Sequence, residues 1–128
     1  MTSTPKTILV ADDAALVRLF CRSILESAGF RVEEALNGFE ALESLLTKAV
    51  DLLIVDINMP QMDGLSFLRS LRQKELPIAA IPALVVSTES SMSDFAAARA
   101  AGANYYLVKP IDREQLVEFA RMLCGVPA

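Results

Sequence analysis

Six side chains in this 128-residue sequence have the types and positions to do chemistry together: Asp12, Asp13, Asp56, Ser87, Thr88 and Lys109. Each follows a short apolar run, as in "TILVADD", "LLIVD", "ALVVST" and "NYYLVK". An apolar run becomes a buried strand, where an unpaired carboxylate is costly. Three carboxylates brought close repel one another, which raises a pKa or calls in a cation. A few protein oxygens completed by water and phosphate oxygens are the usual coordination of Mg²⁺. A carboxylate is also a nucleophile toward phosphorus. Phosphoryl transfer then needs positioning and charge neutralisation, which a cation and a lysine can provide.

Taken singly, each residue has a plainer use. Asp12 and Asp13 suit a helix N-cap with a solvated neighbour. Asp56 suits a turn, and Asp63 before Gly64 does so more strongly. Lys109 suits a loop cation, and Thr88 suits the cap of the helix that follows. What favours the chemical reading is their joint placement on four separate strand ends.

Composition narrows the alternatives. The sequence contains no histidine, which removes Ser-His and Cys-His nucleophiles and every histidine metal site. The two cysteines, Cys21 and Cys124, lie far apart in helical patterns and read as free thiols rather than a disulfide or metal site. Hydrophobic residues make up 53% of the chain, enough for a dense single core over residues 1–128. A net charge of −4 argues against a nucleic-acid-binding face. No apolar run is long enough to span a bilayer, and "MTSTPK" lacks the layout of a signal peptide, so a cytoplasmic protein without membrane contact is expected. Met1 is expected to be the initiator, and with only "GVPA" after the last helix a single domain without a basic linker is expected.

The elements that must position these residues alternate regularly. Strands are expected at "TILVA", "FRVEEA", "DLLIVD", "ALVVS" and "NYYLV". Between and after them lie five amphipathic patterns: "ALVRLFCRSILESAGF", "NGFEALESLLTKA", "GLSFLRSLRQK", "SMSDFAAARAAG" and "DREQLVEFARMLC". Leu16, Leu19, Phe20, Ile24 and Leu25 mark the first helix, closed by Gly29, while Asn37 and Asp112 are expected caps. Five strands alternating with five helices give a doubly wound α/β sandwich with a parallel sheet. Such sheets bind ligands beyond the carboxyl ends of their strands.

In order and spacing, "VADD", "VDINMPQMDG", "VVSTE" and "YYLVKP" resemble the receiver domain of two-component response regulators, from about Lys6 to Leu123. The organisation is closest to single-domain CheY-like regulators. The resemblance implies a flavodoxin-like, CheY-like sheet of order 2-1-3-4-5. It implies Asp56 as phosphoacceptor and Asp12 and Asp13 as the acidic pair that, with Asp56 and the Asn58 backbone carbonyl, holds Mg²⁺ (or Mn²⁺). Ser87 matches the switch hydroxyl, Lys109 the lysine that pairs with the phosphoryl charge, and Tyr106 the switch aromatic. A cis Lys109–Pro110 bond is also implied. Thr88 departs from the small residue usual at its position, and Asn58 and Glu89 resemble a polar pair that modulates phosphoryl lifetime.

The implied partners are a sensor histidine kinase or histidine phosphotransfer protein and a downstream protein target, bound through helix four, strand five and helix five. On that face most of Phe95, Ala98, Tyr105, Tyr106, Glu118, Phe119 and Met122 are expected to be core. The activity implied is self-phosphorylation from a phosphodonor and self-dephosphorylation, not conventional enzymatic turnover. Other readings are a phosphate relay or sink, the receiver of a larger regulator, and a hydrolase of the haloacid dehalogenase type. The last expects an acid where Asn58 stands and ranks lowest.

Overall fold

In the computed structural model, which describes residues 4–127, five parallel strands form one sheet of order β2-β1-β3-β4-β5. The elements run β1 (Thr7–Ala11), α1 (Ala15–Ser27), β2 (Arg31–Ala35), α2 (Gly38–Thr47), β3 (Leu52–Val55), α3 (Gly64–Arg72), β4 (Ala83–Ser87), α4 (Met92–Ala101), β5 (Tyr105–Val108) and α5 (Arg113–Cys124). This is the expected doubly wound α/β sandwich. The readings of Met1 as initiator and of Ala128 as the chain's end lie outside the described residues. No helix among the described residues is long and apolar enough to cross a membrane.

The period of two along each strand builds two cores. Leu9, Ala11, Leu53, Val55, Ala83 and Val85 point to one face, where α2, α3 and α4 close over Phe67, Leu68 and Leu71. Ile8, Val10, Leu52, Ile54, Leu84 and Val86 point to the other, against Cys21, Ile24 and Leu25 of α1 and Leu116, Ala120 and Cys124 of α5. Strands buried on both faces are nearly continuous apolar runs, as β3 is throughout and β4 is up to its buried terminal Ser87. The registers Ala11↔Val55 and Val55↔Val85 bring the strand ends to one edge of the sheet.

Local chemistry ends the helices. Asn37 caps α2 by accepting from the Glu40 amide, and Asp112 caps α5 by accepting from the Gln115 amide, both as expected. Asp63 is more than a turn former, since it caps α3 through the Ser66 amide. Thr88 caps nothing: the cap of α4 is Ser91, in a reciprocal capping box with Asp94. The backbone leaves β4 for four residues, the last of them the Ser91 cap, before α4 begins, which carries Thr88 into solvent.

The structure settles burial on two faces, and on one of them an expectation fails. In α1 the inward stripe is Val17, Cys21, Ile24, Leu25 and Ala28, while Leu16, Leu19 and Phe20 are exposed at 80, 60 and 45%. The apolar surface of this helix is wider than its contact with the sheet, so periodicity marks the helix without telling which of its apolar residues are buried. On α4, β5 and α5, most of seven residues are expected in the core, with Tyr106 the exception, yet only Ala98 is buried. Phe95, Tyr106 and Phe119 are half-buried, and Tyr105, Glu118 and Met122 are exposed. The cause is topological: β5 is an edge strand, and α4 buries only the narrow pair Ala98 and Ala101.

Candidate functional site

Asp12 follows β1, Asp56 follows β3, Ser87 ends β4 and Lys109 follows β5. The parallel sheet therefore gathers them on one edge. Oxygens of Asp12, Asp13 and Asp56 lie within 4.8 Å of one another. Asp12 and Asp56 are buried, whereas Asp13 is exposed at the mouth. Lys109 Nζ donates to Asp12 Oδ2 at 3.1 Å and stands 3.7 Å from Asp56 Oδ2, so one ammonium serves two buried carboxylates.

The Asp56 carboxyl is held above its ordinary pKa. Burial is the main cause and the charge of Asp12 adds to it, against the opposing pull of Lys109 and of a hydrogen bond from the Asn58 amide. Three carboxylates and one ammonium leave net negative charge in a half-enclosed cleft. The donors are all hard oxygens, and that set fits a Mg²⁺-type cation and no thiophilic metal.

The backbone around Asp56 is fixed on both sides. Its amide donates to the Ala11 carbonyl at 2.9 Å, and the Gly64 amide donates to the Ile57 carbonyl at 2.9 Å. Gly64 packs directly on the Asp56 carbonyl. The segment between them is tied to the start of α2. The Gly38 amide donates to the Met62 carbonyl at 3.0 Å, and Asn37 Nδ2 meets Gln61 Oε1 at 3.4 Å. Gln61 takes a left-handed φ of 67° to make this turn.

From Ser87 a short chain of contacts leaves the site. The fully buried Ser87 hydroxyl accepts from the Glu89 amide at 3.2 Å. The Glu89 carbonyl accepts from the Tyr106 hydroxyl at 2.9 Å, and the Tyr106 ring packs edge-on against Phe95 of α4 at 4.7 Å. Burial raises the Tyr106 phenol pKa, partly offset by the neighbouring Ser87 hydroxyl. The Lys109–Pro110 peptide is cis, as expected, and so is Leu76–Pro77. The Lys109 amide donates to the Ser87 carbonyl at 2.8 Å.

The structure thus assembles Asp12, Asp13, Asp56 and Lys109, and places Ser87 beside Tyr106. Thr88, Glu89 and Asn58 have exposed side chains at the rim, and Glu89 and Asn58 also contribute through backbone groups. Sequence reasoning missed Arg18, whose guanidinium donates to the Asp12 carbonyl at 2.7 Å. It missed the close packing at Gly38 and Gly64 too. The glycines are the only signal of the latter, and Arg18 looks like any surface arginine until the fold brings β1 and α1 together.

The response regulator receiver domain family matches residues 8–121 of this chain. The transcriptional regulatory protein KdpE of Escherichia coli K12 is 41% identical over 103 residues, covering 80% of this chain and 44% of KdpE. The chain spans 16 to 50% of the length of the curated relatives it matches. Among solved structures, the chemotaxis protein CheY4 of Vibrio cholerae superposes with a TM-score of 0.87 at 31% identity, covering 94% of this chain and 99% of CheY4. The receiver domain of the sensor histidine kinase PA1611 of Pseudomonas aeruginosa, with a magnesium ion coordinated in its active-site cleft, gives 0.87 at 26% identity, covering 95 and 99%. With the sheet order, the acidic edge and these matches in agreement, this chain belongs to the response regulator receiver family.

Proposed function

We propose that this chain is a phosphorylatable switch of a two-component system, with Asp56 as the phosphoacceptor. One observation carries the reading: a buried Asp56, clustered with Asp12 and Asp13, shares a single ammonium, Lys109, with Asp12. A phosphohistidine donor, on a sensor kinase or phosphotransfer protein, must be another protein, because this chain has no histidine of its own. A rim of Leu16, Phe20, Pro110 and Ile111 beside Lys109 supplies an apolar surface on which such a donor protein can seat. Both proteins would meet in the cytoplasm.

An Asp56 carboxylate oxygen attacks the donor phosphorus as the P–N bond breaks, and the bonding pair returns to the donor imidazole. Asp12, Asp13, Asp56 and the Asn58 carbonyl would hold the cation. When bound, Mg²⁺ supplies charge neutralisation at the phosphoryl oxygens. Lys109 moves its charge from the free carboxylates to the new phosphoryl group. Ser87 then turns its hydroxyl toward a phosphoryl oxygen, which disturbs the Glu89 and Tyr106 contacts and shifts α4 for a protein target. Water later attacks the phosphorus, releasing inorganic phosphate and restoring Asp56. Thr88 at the rim slows approach of donor or water, and Asn58 and Glu89 tune the lifetime.

A second reading is a relay or sink that returns phosphate to a histidine phosphotransfer protein, alone or as the receiver of a larger regulator. The short share of its relatives' length that this chain spans supports the latter. The test is an intact-mass time course with a small acyl phosphate donor and Mg²⁺, followed by decay after donor removal. One phosphoryl group is expected, absent in Asp56→Asn and absent with a chelator. Equal yield on Asp56→Asn overturns the assignment. Decay within about a minute favours a fast switch or sink over slow transcriptional control.

A further inference from the structure

The side chain of Asp13 makes no hydrogen bond among the described residues, and it is exposed, yet an oxygen of its carboxylate lies within 4.8 Å of Asp12 and Asp56 oxygens. Something other than its own side-chain contacts must aim it. Asp12, one residue earlier, is held at every polar atom. Its amide donates to the Ala35 carbonyl at 3.1 Å, its Oδ1 accepts from the Ala14 amide at 2.9 Å, and its Oδ2 accepts from Lys109. Its carbonyl oxygen accepts from Arg18 Nη1 at 2.7 Å. That carbonyl belongs to the peptide that joins Asp12 to Asp13. Fixing it fixes the plane from which the Asp13 side chain departs.

Arg18 is itself clamped. Its Nε donates to Glu34 Oε1 at 2.9 Å, and Arg22 Nε grips Glu34 Oε2 at 2.7 Å. The Arg18 side chain is only 12% exposed. Burial alone would raise the Glu34 pKa, but the bonds from Arg22 and Arg18 outweigh it and keep the carboxylate ionised. The fork of one guanidinium therefore spans from β2 to the carbonyl between the two acids, which a single ammonium cannot do.

We propose that Arg18, held by Glu34, is a positioning residue for the cation site: it locks the Asp12–Asp13 peptide so that Asp13 faces Asp56. This rests on the proposed cation site. It runs against simple electrostatics, and that makes it testable. A bystander cation near a cation site weakens binding by repulsion, so its removal should tighten binding. A positioning residue predicts the reverse.

The experiment is Mn²⁺ binding to the intact chain without phosphodonor, by calorimetry and by electron paramagnetic resonance of free Mn²⁺, with melting curves alongside. Arg18→Ala is expected to raise the dissociation constant about tenfold, the low end of the range for groups that orient metal ligands. Arg18→Lys, which keeps one donor, and Glu34→Gln, which loosens the clamp, should each raise it about threefold. Asp13→Asn serves as the reference for loss of the aimed ligand. Arg18→Ala binding Mn²⁺ as well as or better than the unaltered protein overturns the inference. If Arg18→Ala does not fold, Arg18→Lys and Glu34→Gln decide, and unaltered affinity in both overturns it. Absence of Mn²⁺ binding in the unaltered protein overturns the cation site itself and this inference with it.

Discussion

Gly64 and Asp56 are in direct backbone contact: a Cβ on Gly64 would fall on the Asp56 carbonyl oxygen, 2.9 Å from the carbonyl carbon and 3.0 Å from Ile57 Cα. The first residue of α3 thus sets where the buried carboxylate stands. Gly64 has an ordinary negative φ, so the requirement is space and not backbone freedom.

Gly64→Ala is therefore expected to push the Asp56 backbone or the start of α3 aside. Overpacking of this kind costs about 1–3 kcal/mol. Denaturant melts should show that loss, and the mass time course should show slower phosphorylation than in a surface control. An unchanged rate at unchanged stability would mean that the carboxylate tolerates displacement.

Asp56→Asn should stabilise the protein at neutral pH. The folded state holds the Asp56 carboxyl above its ordinary 3.8, chiefly because it is buried. Between 3.8 and that raised value, the folded state binds more protons than the unfolded state, so this group's contribution falls as pH rises. At pH 7 the charged Asp56 is thus a net cost that the amide removes. Melting temperatures from pH 3 to 7 should show Asp56→Asn gaining on the parent protein as pH rises, with the two converging below pH 3.8. A gap that widens toward acid pH would reverse the sign and refute the assignment.

Lys109→Met leaves Asp12 and Asp56 buried without their shared counter-charge. The cost is about 3–5 kcal/mol, that of removing one partner of a buried ion pair. Because Lys109 competes with a cation for the same carboxylates, added Mg²⁺ should raise the variant's melting temperature by more than the parent's. Equal increments would show that lysine and cation do not share the cleft.

Cys21 and Cys124 are both buried, and burial pushes each thiol up to about 11. The thiolate, not the thiol, is the nucleophile. Neither cysteine should react with a disulfide reagent at pH 8 over minutes in the native state, and both should react at once in denaturant. Prompt labelling of native protein would show that α1 or α5 opens readily.

How far the sequence could be read differs by element. Strands β1 and β4 matched residue for residue, because unbroken apolar runs bounded by polar residues leave no other register. The ends of the apolar runs carry Asp12, Asp56, Ser87 and Lys109, so these residues are legible in the sequence alone. Burial was read less well. The exposed Leu16 and Phe20 carry the same hydrophobicity as the buried Ile24 and Leu25, and only the sheet beneath α1 distinguishes them. Edge position did the same to Tyr105 on β5.

By itself, then, the sequence determined which elements form and which chemistry-bearing side chains lie at their ends. Both are local matters, set by side-chain period and by where an apolar run stops. The tertiary structure alone decided that Lys109, 97 residues from Asp12, bonds to it. It also decided that Arg18 turns back on the Asp12 carbonyl and that Gly64 must stay small against Asp56. Those relationships depend on strand order and on distances between elements far apart in the chain. No spacing along one segment encodes them, because each contact exists only once the parallel sheet has closed.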